Sequence, residues 1–163
     1  YVGIMWTVDG PRVLEYNCRL GDPETQPVLL RMKSDFADLL EATATSGPSS
    51  TSIQWDSRSA LCLVLASDGY PENPQKGQVL TGEIFSEIDE DVQVFHAGTR
   101  HDHDRQVCVS GGRVLGVTAL GDGLEDARAK AYARAEQIHF DGKIYRTDIG
   151  QYRWNAGPIP SES

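Results

Sequence analysis

A hairpin signal near the start of the chain constrains the fold more than any other feature. Two β-favouring apolar runs, residues 2–8 and 12–17, are joined by Asp9-Gly10. Asp and Gly tolerate the positive φ that a tight turn between antiparallel strands requires. A helix is predicted next, from about Glu24 to Thr45, because apolar residues recur there at i, i+3, i+4, i+7 spacing. The chain therefore opens with a β-hairpin followed by a helix.

The next segment, Thr45 to Ser52, predicts a linker, because its Ser, Thr, Gly and Pro residues neither pack nor repeat at a helical period. Beyond it, strands are predicted at residues 59–67, 77–83, 92–97, 105–109 and 112–119. A capping box of Asp122 and Glu125 then predicts a helix. Its apolar face comprises Leu124, Ala127, Ala131, Ala135 and Ile138. A short extended stretch near Lys143 to Arg146 precedes a polar tail that is expected to fray. The pattern indicates an α+β fold with antiparallel sheets.

Composition excludes several classes of protein. There are 15 Lys and Arg residues against 24 Asp and Glu, which gives a formal charge of -9 and argues against a nucleic-acid partner. The sequence has no apolar run of about 18 residues, so no membrane span is predicted, and no charged-then-apolar signal peptide is apparent. The three cysteines, Cys18, Cys62 and Cys108, are far apart and have apolar neighbours. We expect them to be reduced and buried in a cytoplasmic protein.

The residues that could carry chemistry cluster just after the predicted turn. Glu15 and Asn17 are two apart on a strand, so their oxygen-bearing side chains share a face, as ligands of Mg²⁺ require. The same spacing is also common on solvent-exposed strands. Arg19, Gly21 and Asp22 then lead into the predicted helix, whose N-terminus with a nearby Arg suits an anion. The alternative is that Asp22 only caps the helix, with Pro23 as its first residue.

Three other motifs invite a functional interpretation, but each has a simpler structural one. The segment His101-Asp102-His103-Asp104 looks like a metal cluster, although a solvated loop tip between strands is the expected arrangement. Ser110-Gly111-Gly112-Arg113 brings backbone N–H groups together, as a phosphate site does, yet a tight hairpin turn explains its glycines equally well. The acidic run from Glu83 to Asp91 is expected to be a solvated connection.

Several blocks of the sequence resemble one enzyme family. The segment Glu15-Tyr16-Asn17-Cys18-Arg19-Leu20-Gly21-Asp22-Pro23-Glu24-Thr25-Gln26 is similar to the signature of the phosphoribosylamine–glycine ligases, which are ATP-grasp enzymes of purine biosynthesis. Further similar blocks follow in the same order along almost the whole chain. They include Gly69-Tyr70-Pro71, Phe95-His96-Ala97-Gly98-Thr99, Gly111-Gly112-Arg113-Val114-Leu115-Gly116 and Ile138-His139-Phe140-Asp141-Gly142.

The resemblance implies a set of ligands and roles. ATP, glycine and 5-phosphoribosylamine are the implied substrates, with Mg²⁺ or Mn²⁺ as the metal. Glu15 and Asn17 match the family's metal ligands, and Leu14 matches an apolar position that lies against adenine. Arg19, Gly21 and Asp22 match the loop that faces phosphates and substrates. Some ATP-grasp proteins add a carboxylate on the first hairpin strand, but residues 2–8 contain none.

The resemblance also implies a domain organisation. Residues 1–50 correspond to the carboxy-terminal end of an ATP-grasp domain, a β-hairpin plus helix. Residues 53–163 correspond to a mainly antiparallel β carboxy-terminal domain with one helix. Family members are longer and the chain lacks an initial Met, so we expect the rest of the enzyme, its amino-terminal portion, to be the partner and the isolated segment to be inactive. Two alternatives stay open: a segment of another ATP-grasp ligase or carboxylase, and a non-catalytic binding module.

Overall fold

The computed structural model describes residues 1–47, 52–84 and 89–151, and it shows an α+β fold with antiparallel pairing throughout these ranges. The elements in chain order are β1 Val2–Thr7, β2 Gly10–Tyr16, α1 Thr25–Arg31, α2 Phe36–Ser46, β3 Ser59–Ser67, β4 Thr81–Gly82, β5 Val92–His96, β6 Thr99–His101, β7 Val107–Val109, β8 Arg113–Gly121, α3 Leu124–Glu136, β9 Ile138–His139 and β10 Lys143–Ile144. No helix in the described ranges is long and apolar enough to cross a membrane.

The predicted hairpin forms from β1 and β2. Its turn is Val8-Asp9, and Gly10 follows with a φ of 99°, a left-handed conformation that glycine adopts without steric cost. The Thr7 hydroxyl donates to the Gly10 carbonyl at 2.8 Å and accepts from the Asp9 N–H at 3.2 Å, which closes the turn. Farther along, Gly3 pairs with Glu15 while Ile4 pairs with Val13, so Leu14 is the extra residue of a β-bulge.

The single helix predicted from Glu24 to Thr45 is wrong, because the structure contains two helices there. Met32 adopts an extended conformation and forms a bridge with Trp55, which is remote in sequence. The Asp35 carboxylate then accepts from the N–H groups of Ala37 and Asp38 and so caps α2. Pairing with a distant strand-like segment therefore overrides the helical period at Met32.

A four-stranded antiparallel sheet, in the order β10-β3-β8-β5, holds the main core. Strand β3 has the predicted bounds, and alternate residues along β3 and β8 face α3. Helix α3 presents Ala127, Ala131 and Ala135, all fully buried, to that face, as its periodicity predicted. Small side chains let the helix backbone approach the sheet closely. The second face of the sheet, which carries Cys62, Val64 and Ala66, lies toward α1.

The remaining sequence predictions are borne out unevenly. Strand pairing in the predicted 77–83 segment is limited to β4 and one bridge at Val79, and the short strands β6 and β9 were not foreseen. Ile138, which was predicted on the face of the helix, lies in β9, because α3 ends at Glu136. The capping box was also wrong: the N-cap of α3 is Gly123, and it is Asp126, not Glu125, that accepts from the Asp122 N–H at 3.1 Å. Parts of the predicted linker, the acidic run and the tail lie outside the described residues.

Ion pairs connect the segment before β3 with α3 and the turn before β5. Arg58 bonds the Asp56 carboxylate at 3.0 Å and the Asp91 carboxylate at 2.6 Å, and Lys130 bonds Asp91 at 3.0 Å. Hydrogen bonds from the Arg58 side chain and backbone hold the pKa of Asp56 well below its ordinary value. Lys130 and Arg58 likewise lower the pKa of Asp91. This cluster secures one edge of the sheet.

Candidate functional site

The open end of the hairpin brings two of the predicted site residues onto one face. Tyr1 and Asn17 exchange backbone hydrogen bonds: the Asn17 nitrogen donates to the Tyr1 carbonyl at 2.8 Å, and the Tyr1 nitrogen donates to the Asn17 carbonyl at 2.8 Å. This pair continues the register in which Gly3 lies opposite Glu15. Alternation then places the side chains of Glu15 and Asn17 on the same side, as the spacing predicted. A Cβ on Gly3 would lie 3.1 Å from Glu15 Cγ, so the glycine leaves room for that side chain.

Tyr1 connects this pair to Arg19. Its hydroxyl donates to Glu15 Oε1 at 3.1 Å, and the Arg19 guanidinium carbon lies 5.6 Å from the centre of its ring. Nδ2 of Asn17 is buried and has no hydrogen-bond partner among the described residues. A buried amide without a partner carries a free-energy penalty, so this atom marks a polar group that the described chain does not itself satisfy.

Leu14 and Gly21 occupy contrasting environments. Leu14, the bulged residue of β2, is 63% exposed, which leaves its side chain available to a ligand or to another protein surface. Gly21 is buried, and its carbonyl accepts from both the backbone N–H and the hydroxyl of Thr25. The glycine thereby forms the last turn of the loop before α1.

Asp22 does not cap the helix, so the prediction of a simple cap with Pro23 as the first helical residue is wrong. The N-cap of α1 is Glu24, which makes no side-chain cap bond, and the helix begins at Thr25. The Asp22 carboxylate instead pairs with Nη2 of Arg113 at 3.0 Å, and the Asp22 carbonyl accepts from Nη1 of the same guanidinium at 3.3 Å. Arg113 lies 91 residues away at the start of β8, and no local sequence signal linked it to the loop.

A cavity of about 510 Å³ opens beside this contact. It lies on the second face of the main sheet, between the loop and the last described segment of the chain. Its lining is mostly apolar, with two guanidinium groups, and comprises Pro23, Cys62, Val64, Ala66, Tyr70, Arg113, Ile144, Tyr145, Arg146 and Ile149. Burial raises the pKa of the Cys62 thiol, which keeps it protonated at neutral pH.

The structure also places the histidine and aspartate motif and the three cysteines, which the sequence singled out. His101 ends strand β6, so only Asp102 to Asp104 form the expected loop tip, where Asp102 accepts from the N–H groups of Asp104 and Gln106. Within the described ranges, no group of three or more His, Cys, Asp or Glu side chains is placed to hold a metal ion. The expectation for the cysteines is only partly met: all three are free and Cys108 is buried, but Cys18 is exposed and Cys62 is half-buried.

Comparison with known proteins identifies the family. The model of the family described as "Phosphoribosylglycinamide synthetase, C domain" matches residues 60–152, which is more than half of the chain. The chain belongs to this family. The match covers the main sheet, α3 and the residues that line most of the cavity.

Relatives of this family extend the similarity to the hairpin and the loop. The chain is 46% identical over 157 residues to the phosphoribosylamine–glycine ligase of Escherichia coli O157:H7, covering 96% of the chain and 36% of that protein. It is 46% identical over 151 residues to the Vibrio parahaemolyticus enzyme of the same name, covering 92% of the chain and 35% of the relative. The crystal structure of the Thermotoga maritima phosphoribosylamine–glycine ligase matches with a TM-score of 0.70 at 35% identity, over 91% of the chain and 36% of that structure. The chain thus spans about a third of the length of these relatives.

Proposed function

We propose that this chain is the carboxy-terminal part of an ATP-dependent phosphoribosylamine–glycine ligase of purine biosynthesis. The observation that carries the proposal is the 46% identity over 96% of the chain to a protein of that name. The grouping of Glu15, Asn17 and Arg19 around Tyr1, at the open end of the hairpin, supports it independently. In the proposed organisation residues 1–50 complete an ATP-grasp domain and residues 53–163 form the carboxy-terminal domain.

The proposed reaction has two steps. The carboxylate of glycine attacks the terminal phosphorus of ATP, which forms glycyl phosphate and releases ADP. The amine of 5-phosphoribosylamine then attacks the carbonyl carbon of glycyl phosphate, loses a proton, and expels inorganic phosphate to give glycinamide ribonucleotide. Both steps build up negative charge on phosphate oxygens, so the site must offer cationic groups and N–H donors.

The described residues fit the metal that the family implies. Glu15 and Asn17 supply hard oxygen atoms on one strand face, and Mg²⁺ is usually held by one or two carboxylates together with substrate phosphates. We propose that these two residues hold Mg²⁺ or Mn²⁺, which when bound neutralises charge on the ATP phosphates. Because the described residues offer only this pair at the hairpin, the phosphate oxygens would complete the coordination.

The neighbouring residues take the remaining roles. Leu14, exposed on the bulge, lies against the adenine of ATP. Arg19 and Gly21, with Asp22, form the loop that faces the substrates, where the Arg19 guanidinium can pair with a carboxylate or a phosphate. Tyr1 orients Glu15 through its hydroxyl and Arg19 through its ring. These assignments are part of the proposal.

The exposed apolar side chains of the hairpin support the proposal that it binds another protein segment. Its apolar side chains are exposed on both strands; they include Val2, Ile4, Met5, Trp6, Val13, Leu14 and Tyr16. Exposed apolar side chains grouped on one element are typical of an interface. We propose that those other than Leu14 pack against the amino-terminal portion of the ligase and that the 163-residue chain alone does not ligate glycine. The proposed location of the enzyme is the cytoplasm.

A chimera tests the proposal. The aligned third of the Escherichia coli O157:H7 ligase is replaced by this chain, and release of ADP and phosphate is measured with glycine and 5-phosphoribosylamine together and with each omitted. We expect turnover that needs both substrates, loss of turnover in Glu15→Gln, and normal turnover in the control Asp9→Asn, which alters an exposed carboxylate at the far end of the same hairpin. ADP release that ignores glycine but follows another acceptor would indicate a different ATP-grasp ligase or carboxylase. A folded chimera with no turnover would favour a non-catalytic module.

A further inference from the structure

The contact between Arg113 and Asp22 joins the two parts of the chain at the loop where the proposed substrates bind. We name residues 19–26 the signature loop. One guanidinium bonds both the side chain of Asp22, at 3.0 Å, and its backbone carbonyl, at 3.3 Å. Two bonds to different groups of one residue fix its orientation as well as its position. No residue of the main sheet other than Arg113 makes a side-chain hydrogen bond to Asp22 within the described ranges.

A β-bulge directs Arg113 toward the loop. Leu65 pairs with Leu115, but Ala66 pairs with Arg113, so Val114 is an extra residue in β8. With unbroken alternation, Arg113 would point to the same face as Leu115, which is the core face covered by α3. The bulge shifts the pattern by one residue: Val114 is fully buried in the core, and Arg113 lines the cavity on the opposite face.

Three sequence blocks that the proposed function leaves without a role hold this bulge in place. A Cβ on Gly112 would lie 2.1 Å from Cδ2 of Tyr70, so the turn before β8 packs directly on that ring. A Cβ on Gly98 would lie 2.5 Å from the Arg113 carbonyl oxygen, which itself accepts from the Gly98 N–H at 2.8 Å. Three blocks therefore meet at the base of the Arg113 side chain: Gly69-Tyr70-Pro71, Ala97-Gly98-Thr99 and Gly111-Gly112-Arg113.

We propose that Arg113 is a positioning residue for the signature loop: it fixes Asp22 and thereby sets the placement of Arg19 and Gly21 relative to Glu15 and Asn17. The catalytic meaning of this inference rests on the proposed ligase function. The role is geometric, because ion pairs as exposed as this one, with side chains 40% and 61% accessible, contribute little to global stability. Losing the contact should therefore loosen the loop without unfolding the domain.

Amide hydrogen exchange on the 163-residue chain tests the positioning directly. The reporter is the Thr25 N–H, which donates to the Gly21 carbonyl at 3.1 Å, and the global reference is the Ala131 N–H in α3. In Arg113→Met we expect exchange at Thr25 to accelerate about ten-fold or more while Ala131 changes by less than about two-fold. The double variant Arg113→Met with Asp22→Ala should match Arg113→Met alone. The control is Arg146→Met: Arg146 lines the same cavity but pairs with Asp148, and we expect Thr25 to be unaffected.

Activity in the chimera separates this inference from the proposed function. Arg113→Met should lower kcat about ten-fold with little change in the KM for ATP, Arg113→Lys should restore part of the loss, and Arg146→Met should have no effect. Unchanged exchange at Thr25, or equal acceleration at Thr25 and Ala131, overturns the positioning role whatever the chimera does. If Arg113→Met speeds exchange at Thr25 alone but the unmutated chimera fails to ligate, the loop contact stands. The ligase function, and with it the catalytic role of Arg113, is then refuted.

Discussion

The packing of α3 on the main sheet leads to a quantitative prediction at Gly121, the last residue of β8. A Cβ at this position would lie 2.1 Å from the backbone nitrogen of Ala127 and 2.7 Å from its Cα. Ordinary contact begins at 3.4 Å, so the helix would have to move by 3.4 − 2.1 = 1.3 Å or more. These atoms belong to the helix backbone and cannot rotate away, and the side chains of Ala127 and Ala131 on the same face are fully buried.

We therefore expect Gly121→Ala to destabilise the chain. Overpacking a core costs about 1–3 kcal/mol, and a clash with backbone belongs at the upper end. Replacing Gly by Ala stabilises by about 0.5–1 kcal/mol through the unfolded chain, which leaves a net loss of about 2 kcal/mol in the free energy of unfolding. For a chain of this length, that corresponds to a fall in Tm of about 4–8 °C.

Urea unfolding followed by circular dichroism at 222 nm measures this difference. The matched control is Gly123→Ser, two residues away, where a Cβ meets nothing within 4 Å and Ser is a favourable N-cap residue. The control should change the free energy of unfolding by less than about 0.5 kcal/mol. A Gly121→Ala variant as stable as the control would refute the claim that α3 is pressed against β8 at this point.

Three further predictions concern the core, the ion pairs and the proposed metal site. Leu63→Ala should lower the free energy of unfolding by about 2–5 kcal/mol in the same urea assay, because Leu63 is fully buried between the sheet and α3; a loss below about 1 kcal/mol would contradict the described core. The free energy of unfolding should fall as the pH drops below the ordinary Asp pKa of 3.8, because the folded state holds the Asp56 pKa lower and the unfolded chain takes up the proton first. In urea unfolding series at pH 6, 4 and 3, Asp56→Asn should weaken this pH dependence. An unchanged pH dependence would exclude Asp56 as its source. Mn²⁺ added with ATP should broaden NMR signals near the open end of the hairpin in the unmutated chimera and in the control Asp9→Asn, but much less in Glu15→Gln. Equal broadening in all three proteins would place the metal elsewhere.

Local patterns in the sequence predicted those elements whose cause is local. The Asp9-Gly10 step predicted the hairpin because the turn needs a left-handed glycine, and the short apolar run from Ser59 to Ser67 predicted β3 with its observed bounds. The alanine spacing in α3 predicted its buried face. The break between α1 and α2 was missed because its cause is a bridge from Met32 to Trp55, which no helical period reveals.

The candidate site likewise has one part that local sequence patterns predicted and one part that depends on contacts between distant residues. The shared face of Glu15 and Asn17 followed from a two-residue spacing, and the register at Gly3 agrees with it. The contact between Asp22 and Arg113 spans 91 residues and depends on a bulge at Val114, which leaves no signal in the pattern of apolar residues. Resemblance to a family located the blocks that contain these residues, but only the structure shows what joins them.

Turnover by the chimera, measured with each substrate present or omitted, is the decisive measurement for the ligase proposal. The Escherichia coli ligase carrying this chain should release ADP and phosphate in equal amounts only when glycine and 5-phosphoribosylamine are both present. Glu15→Gln should abolish this turnover, whereas Asp9→Asn should preserve it. A correctly folded chimera that hydrolyses or transfers phosphate without regard to glycine, or that remains fully active with Glu15→Gln, would contradict the proposed function.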